Sequence, residues 1–262
     1  GVFRTNDYAG NMTSSGLFTW YWARFKNYWG FEGSVFVNPE SLSAFQTRGG
    51  VMMLRPTVFS WDLGINSDNR KALTLRAGTR GGSGRLGSNY GRGAYVGIEW
   101  KPAPNLSVSV TPDYQHSKNG AQFVANIADK AAVATYGTRH VFARLDQNTF
   151  SAGIRVNWTF TPALSFQTYI QPLIASGRYT DFGDLARPRS YEFIRYAAGK
   201  LPQGVSNPDF TYKSIRGNAV LRWEFRPGSA AYLVWTQTRD DSEANGDFRF
   251  GHSFRSLLDA PA

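Results

Sequence analysis

Cysteine is missing from all 262 residues, and histidine and methionine occur only three times each. Without cysteine there is no disulfide framework and no thiolate metal site, and the chain can cross an oxidising compartment before folding. Nowhere does an apolar run approach the roughly 18 residues that a membrane-spanning helix requires, so helical membrane proteins are excluded. The formal net charge is +10, yet no block of five or six like charges occurs, and the arginines are scattered over the whole length. A nucleic-acid partner is therefore not expected. The opening GVFRTNDYAG lacks a basic region followed by an apolar one, and the closing LLDAPA does not read as a strand. From these two ends we expect sequence beyond the chain on both sides.

What the chain does have is 15% aromatic residues, 27 glycines and a strict two-residue period. In FSAGIRVNWTF, positions 150 to 160, Phe150, Ala152, Ile154, Val156, Trp158 and Phe160 share one face, while Ser151, Gly153, Arg155, Asn157 and Thr159 share the other. Successive strand side chains point to opposite faces, so this ribbon is apolar on one side and polar on the other. A barrel that crosses a membrane needs that segregation in every strand.

Alternation and turn residues predict about ten strands, near 17 to 28, 30 to 38, 51 to 65, 70 to 80, 91 to 101, 106 to 116, 147 to 160, 164 to 176, 210 to 226 and 231 to 239. Short connections at Trp29-Gly30, 66 to 69, 102 to 105, 161 to 163 and 227 to 229 alternate with long ones at 39 to 50, 81 to 90, 117 to 146, 177 to 209 and 240 to 252. Outer-membrane barrels have short turns on the periplasmic side and long loops outside. The predicted fold class is thus all-β, a transmembrane antiparallel up-and-down β-barrel incomplete at both ends, with residues 1–262 forming the C-terminal portion of one barrel domain and no separate soluble domain. A soluble β-sandwich or propeller shares the alternation, but typical globular strands hold about five or six residues, whereas roughly 9 to 11 are needed to cross a bilayer.

On that reading Asp62, Arg76, Glu99, Asp113, Arg155, Arg216, Arg222 and Glu224 project into a lumen, where pairing among themselves is the plainest role. Arg222 and Glu224, two residues apart, share a face. Tyr169 and Val220 interrupt the polar faces. Trp100, Trp158, Phe160, Trp223 and Phe225 each lie near a short turn, as an aromatic girdle at the inner membrane interface would. In the long loop 177 to 209, Arg178, Tyr179, Phe182, Arg187, Arg189 and Tyr191 interleave guanidinium and ring, a combination suited to lipid phosphates, sugars or a protein partner.

Motifs of chemistry are sparse. Gly82-Ser-Gly84-Arg-Leu-Gly87 formally matches a dinucleotide fingerprint, but a strand follows it where a helix is required, which leaves a glycine-rich loop. Asp241, Glu243, Asn245 and Gly246 imitate half of a calcium loop whose twelfth position is His252 instead of glutamate. His116, His140 and His252 show no zinc-motif spacing, and His252-Ser253 is the only sequence neighbour of the kind a hydrolase uses. No cofactor, metal site or catalytic residue is expected.

Four segments resemble one bacterial outer-membrane barrel family of unassigned biochemical function: RGGVMMLRP (48 to 56), ATYGTRHVFARLDQNTFS (134 to 151), FTPALSFQTYIQPLIASGRYTDFGDLARPRSYEF (160 to 193) and NPDFTYKSIRGNAVLRWEFRPGSAAYLVWTQTR (207 to 239). The resemblance implies that full-length relatives carry a carbohydrate-binding family-nine-like module ahead of the barrel, and it supplies no catalytic residues. Together these readings give a protein of the bacterial outer membrane that passes or captures a solute, with glycan-derived solutes among the candidates. Its expected partners are outer-membrane lipid and lipopolysaccharide, a glycan ligand, and a protein bound through the long loops. The alternatives are a structural anchor or scaffold subunit of a surface assembly, and an outer-membrane hydrolase.

Overall fold

The computed structural model describes residues 1–251 together with 255 and 256; His252, Ser253, Phe254 and the closing residues 257–262 lie outside the described residues. The chain is almost wholly extended. In order it forms β1 (Val2–Asn6), β2 (Met12–Arg24), β3 (Gly30–Asn38), β4 (Ser41–Ser43), β5 (Met53–Arg55), β6 (Val58–Asn66), β7 (Leu73–Gly84), β8 (Asn89–Ala103), β9 (Leu106–Ala128), β10 (Thr138–Thr161), β11 (Leu164–Leu185), β12 (Phe193–Arg195), β13 (Phe210–Arg226) and β14 (Ser229–Glu243). Single 3-10 turns at Arg85–Gly87 and Val133–Thr135 join β7 to β8 and β9 to β10. Among the described residues no helix is long and apolar enough to cross a membrane.

Twelve strands make one antiparallel sheet in the order β1-β2-β3-β6-β7-β8-β9-β10-β11-β13-β14, with β12 added beside β11. Every neighbour along that path is the next long strand in the chain, so the topology is an up-and-down meander. The sheet is open, with β1 and β14 as its edges. β4 and β5 form a separate two-stranded ribbon inside the connection from β3 to β6.

Three differences from the sequence reading have physical causes. The predicted strand at 51 to 65 breaks into β5 and β6 at Pro56, which has no N–H to give to a ladder. The predicted first strand starts earlier, at Met12, and pairs with β1, a short segment that carries no alternation to betray it. Most of the predicted loop 117 to 146, and the start of the one at 177 to 209, is strand: β9, β10 and β11 reach 23, 24 and 22 residues, about twice a bilayer crossing. Alternation fails there because both faces are covered. His140, Val141, Phe142 and Ala143 are buried in succession, Phe142 in a cluster with Met53, Ala121 and Leu185, and Val141 and Ala143 in another with Phe182. A strand buried on both sides reads as a plain apolar run.

The dry core therefore sits at the long-loop end. Met53 on β5 and Phe193 on β12 are brought there by the two long connections, which bond each other through Arg189 N–H to Met52 O (2.6 Å) and Leu54 N–H to Ser190 O (3.2 Å). At the short-turn end, Asp68 accepts two hydrogen bonds from the Arg70 guanidinium (2.8 and 2.9 Å), and that guanidinium lies over the Tyr28 ring, 3.2 Å from its centroid. This clamp ties the turn after β2 to the turn after β6.

Candidate functional site: a polar sheet face floored with glycine

Strand register places the polar face in rows that run across the whole sheet. One row is Trp20, Ser34, Asp62, Arg80, Gly93, Gln115 and Thr149. The row toward the long loops is Phe18, Phe36, Ser60, Gly82, Gly91, Ser117 and Gln147, and the row toward the short turns is Trp22, Glu32, Gly64, Gly78, Tyr95, Asp113 and Ser151. Continuing across β10 to β14, the face carries Arg155, Tyr169, Asn218, Arg216, Arg222 and Glu224.

All eight lumen candidates lie on this face, and most are already paired. Asp62 accepts the Ser34 hydroxyl, and Arg80 Nη2 contacts both oxygens of Asp113 at 2.6 and 2.8 Å. Arg76 donates to Asn66 (2.7 Å) and reaches Glu32 (3.5 Å), while Glu99 meets Lys101 at 3.0 Å. Arg155 stacks over Tyr169, 4.7 Å from the ring centre, and Arg222 binds Glu224 at 2.5 Å. Arg216 stands opposite Gln171 and Thr238. So the Tyr169 exception is an arginine platform, and the Arg222/Glu224 pair forms along one strand.

Sequence reasoning missed two features of the face. Its floor over β6 to β8 is glycine, at positions 64, 78, 82, 91 and 93. The Tyr95 ring lies across Gly64 and Gly78, so that a Cβ on Gly64 would sit 3.1 Å from the Tyr95 hydroxyl and one on Gly78 would run into the ring; Glu32 also borders Gly64, and the Arg80 side chain lies over Gly93. Beside that floor β2 carries Phe18, Trp20 and Trp22 on the polar side. Phe18 stacks on Trp20 (5.4 Å between centroids) and on Phe36 (6.0 Å), yet Trp20 is 67% and Trp22 77% exposed. The signal was present in TSSGLFTWYWAR: its poor alternation means that β2 is apolar on both sides, with Leu17 and Tyr21 on the other.

That other face is continuous and apolar. Trp100, Trp158, Phe160, Trp223 and Phe225 all lie on it near the short turns, half-exposed, with Trp158 and Phe160 4.3 Å apart and Trp223 and Phe225 5.9 Å apart. Above them come Ile98, Val110, Ile154 and Ile170, in register.

The six loop candidates do not converge on one site. Arg178, Tyr179 and Phe182 belong to β11, not to the loop. Arg178 pairs with Asp247, the Tyr179 N–H donates to Asp209 (2.6 Å), and Phe182 is core. Arg187 clasps Glu192 (2.7 Å) and holds that carboxyl below its usual range, and Arg189 crosses to Asn11 (2.9 Å). Tyr191 packs edge-on against Phe193 at 5.2 Å, and burial pushes its hydroxyl up to about 12.

Of the histidines, His140 is buried against Asn126 Oδ1 at 2.6 Å. His116 Nε2 lies 2.8 Å from Asp146 Oδ1, with Lys118 on the other carboxylate oxygen at 3.2 Å; its Nδ1 is buried without a partner. A histidine and a carboxylate thus meet, and among the described residues no hydroxyl hydrogen-bonds the other His116 ring nitrogen. The carboxylates of the calcium-like segment are turned to another use, since Asp241 (2.9 Å) and Glu243 both grip the fully buried Lys213. The glycine fingerprint at 82 to 87 is split between the end of β7 (82 to 84) and the 3-10 turn Arg85–Gly87 that leads to β8. Among the described residues no cluster of three metal-ligating side chains occurs.

The class these observations define is an antiparallel meander with one apolar and one polar face. The chain belongs to a family described as a domain of unknown function, DUF5916, whose model matches residues 3–262. No curated protein matches it. Among solved structures it is similar to the siderophore receptor PiuA from Acinetobacter baumannii, at 10% identity and a TM-score of 0.47 over 92% of this chain and 45% of that one, so it spans less than half of that receptor's length.

Proposed function

We propose that the chain is a section of an outer-membrane β-barrel that passes or captures a solute, acting without catalysis of its own. The carrying observation is the segregation of faces: in the short-turn halves of β8 to β11 and in β13 the apolar side chains fall mainly on one side with a ring of aromatics at the short-turn end, and the polar groups fall on the other, with Val220 as an exception. A sheet packed in water would need another layer over that apolar face; lipid serves instead. Outer-membrane lipid and lipopolysaccharide are then the surroundings of the apolar face. The ion pairs of the polar face shape a wet interior. A carbohydrate-binding module ahead of the barrel, implied by the resemblance of residues 48 to 239, makes glycan-derived solutes the first to try. The test is full-length protein in planar bilayers and in glycan-binding assays; finding neither conductance nor binding would reject the reading.

A second reading, an anchor for a surface assembly, is favoured by apolar side chains exposed at the long-loop end: Phe45, Val133, Tyr136 and Ile194. Such a patch suits a protein partner. A stoichiometric co-purifying protein that is lost when Phe45 and Tyr136 are changed to serine would support it.

A further inference from the structure

We propose that the glycine-floored trough on the polar face, with Phe36 at its edge and Phe18, Trp20 and Trp22 on the strand beyond, is a binding subsite for a neutral, hydroxyl-rich ring with a flat apolar face, the chemistry of a pyranose sugar. The proposal rests on the solute-binding reading above and names the solute class.

Three properties of the trough converge on that chemistry. First, aromatic rings stand exposed on the polar side of β2 although lipid faces the other side, so burial in a membrane does not explain them. Rings of that kind stack on the C–H faces of sugars. Second, glycine at 82, 91 and 93 removes side chains from the floor over neighbouring strands. The space left there is a cavity of about 310 Å3 whose lining includes Phe36, Asp62, Arg80, Gly91, Arg92 and Gln115, within the roughly 300–1,000 Å3 of small-ligand clefts. Third, the charges beside it balance, Arg80 against Asp113 and the lining Arg92 against Asp62, and Arg80 and Asp62 are held in place. Arg80 is held by Asp113, Arg76 reaches Glu32, and Asp62 is oriented by Ser34.

The balance of charge decides the ligand class. An anion would face Asp62 and the carboxylate of Asp113, and a cation would face Arg80 and Arg92, so neither sign of charge is favoured. A purely apolar ligand would strip water from these groups and leave them unpaired, at about 1–3 kcal/mol each. A polyol ring satisfies both walls: its hydroxyls bond Asp62, Arg80 and Gln115, and its flat face covers Phe36 and the tryptophans.

The experiment is calorimetric titration of the full-length protein, in detergent micelles, with maltohexaose, cellohexaose and chitohexaose, in parallel with bilayer conductance. At least one hexasaccharide should bind. Its affinity should fall tenfold or more in the Trp20→Ala, Trp22→Ala pair and stay unchanged in Trp100→Ala, on the apolar face. Gly91→Ile fills the floor from a position whose surroundings are open, so it tests the same trough without touching the tryptophans, and it should also abolish binding. Failure of all three sugars to bind, or unchanged binding in Gly91→Ile, overturns the subsite. Conductance without any sugar binding would remove the subsite and leave solute passage standing, whereas sugar binding without conductance would do the opposite.

Discussion

Asp68 shows how a single residue at the short-turn end serves the whole sheet. Its carboxyl, held by the Arg70 guanidinium, is lowered to about 2 from an ordinary value of 3.8. Because the folded value lies below the unfolded one, the stabilisation is fully present above about pH 4 and is lost as pH falls toward 2. Wild-type stability should therefore fall between about pH 4 and 2, and Asp68→Asn, which has no carboxyl to protonate, should flatten that part of the stability curve; an unaltered curve would show that the clamp contributes nothing. At the opposite end Met53 is fully buried against Phe142 and Leu185. Met53→Ala should cost about 2–5 kcal/mol, seen as protease cleavage between residues 39 and 57 before the sheet itself opens.

Elements differ in how openly they announce themselves. β10 below Phe150 and most of β13 were legible because one face is apolar and the other polar, and the period of two survives, whereas β14 opens on the plain apolar run Ala230 to Trp235. The upper parts of β9 to β11 were not, because neighbours cover both sides; the sequence HVFA at 140 to 143 carries no period to detect. β2 was obscured for the opposite reason, having exposed aromatics on both faces. The lumen candidates could be placed by parity alone, but their pairing could not. Arg80 reaches Asp113 across β8 and Arg76 reaches Glu32 across β6, so each pair spans an intervening strand that only the register reveals. Packing between elements supplies a further prediction. The Tyr95 ring rests on Gly78, so Gly78→Val should displace it at a cost of about 1–3 kcal/mol. Thermal denaturation followed by near-ultraviolet dichroism would register both the loss of stability and the altered tyrosine environment.

For the molecule as a whole, the account depends on which face meets lipid. Ile170 lies on the apolar face, in register with Ile154 and Gly217, while Gln167 faces Asn157 and Val220 on the polar one. Arginine placed at a lipid-facing midplane costs about 2–4 kcal/mol. Ile170→Arg should lower folding stability in liposomes by that amount, and Gln167→Arg by much less. Equal costs would mean that the two faces share one environment. The most direct measurement uses the absence of cysteine from the chain. Single cysteines introduced in turn from Gly153 to Trp158 can each carry an environment-sensitive fluorophore, in protein refolded into vesicles that contain a lipid-bound quencher. The account predicts strong quenching at Ile154, Val156 and Trp158 and weak quenching at Gly153, Arg155 and Asn157. Uniform quenching, or the alternation reversed, would contradict it.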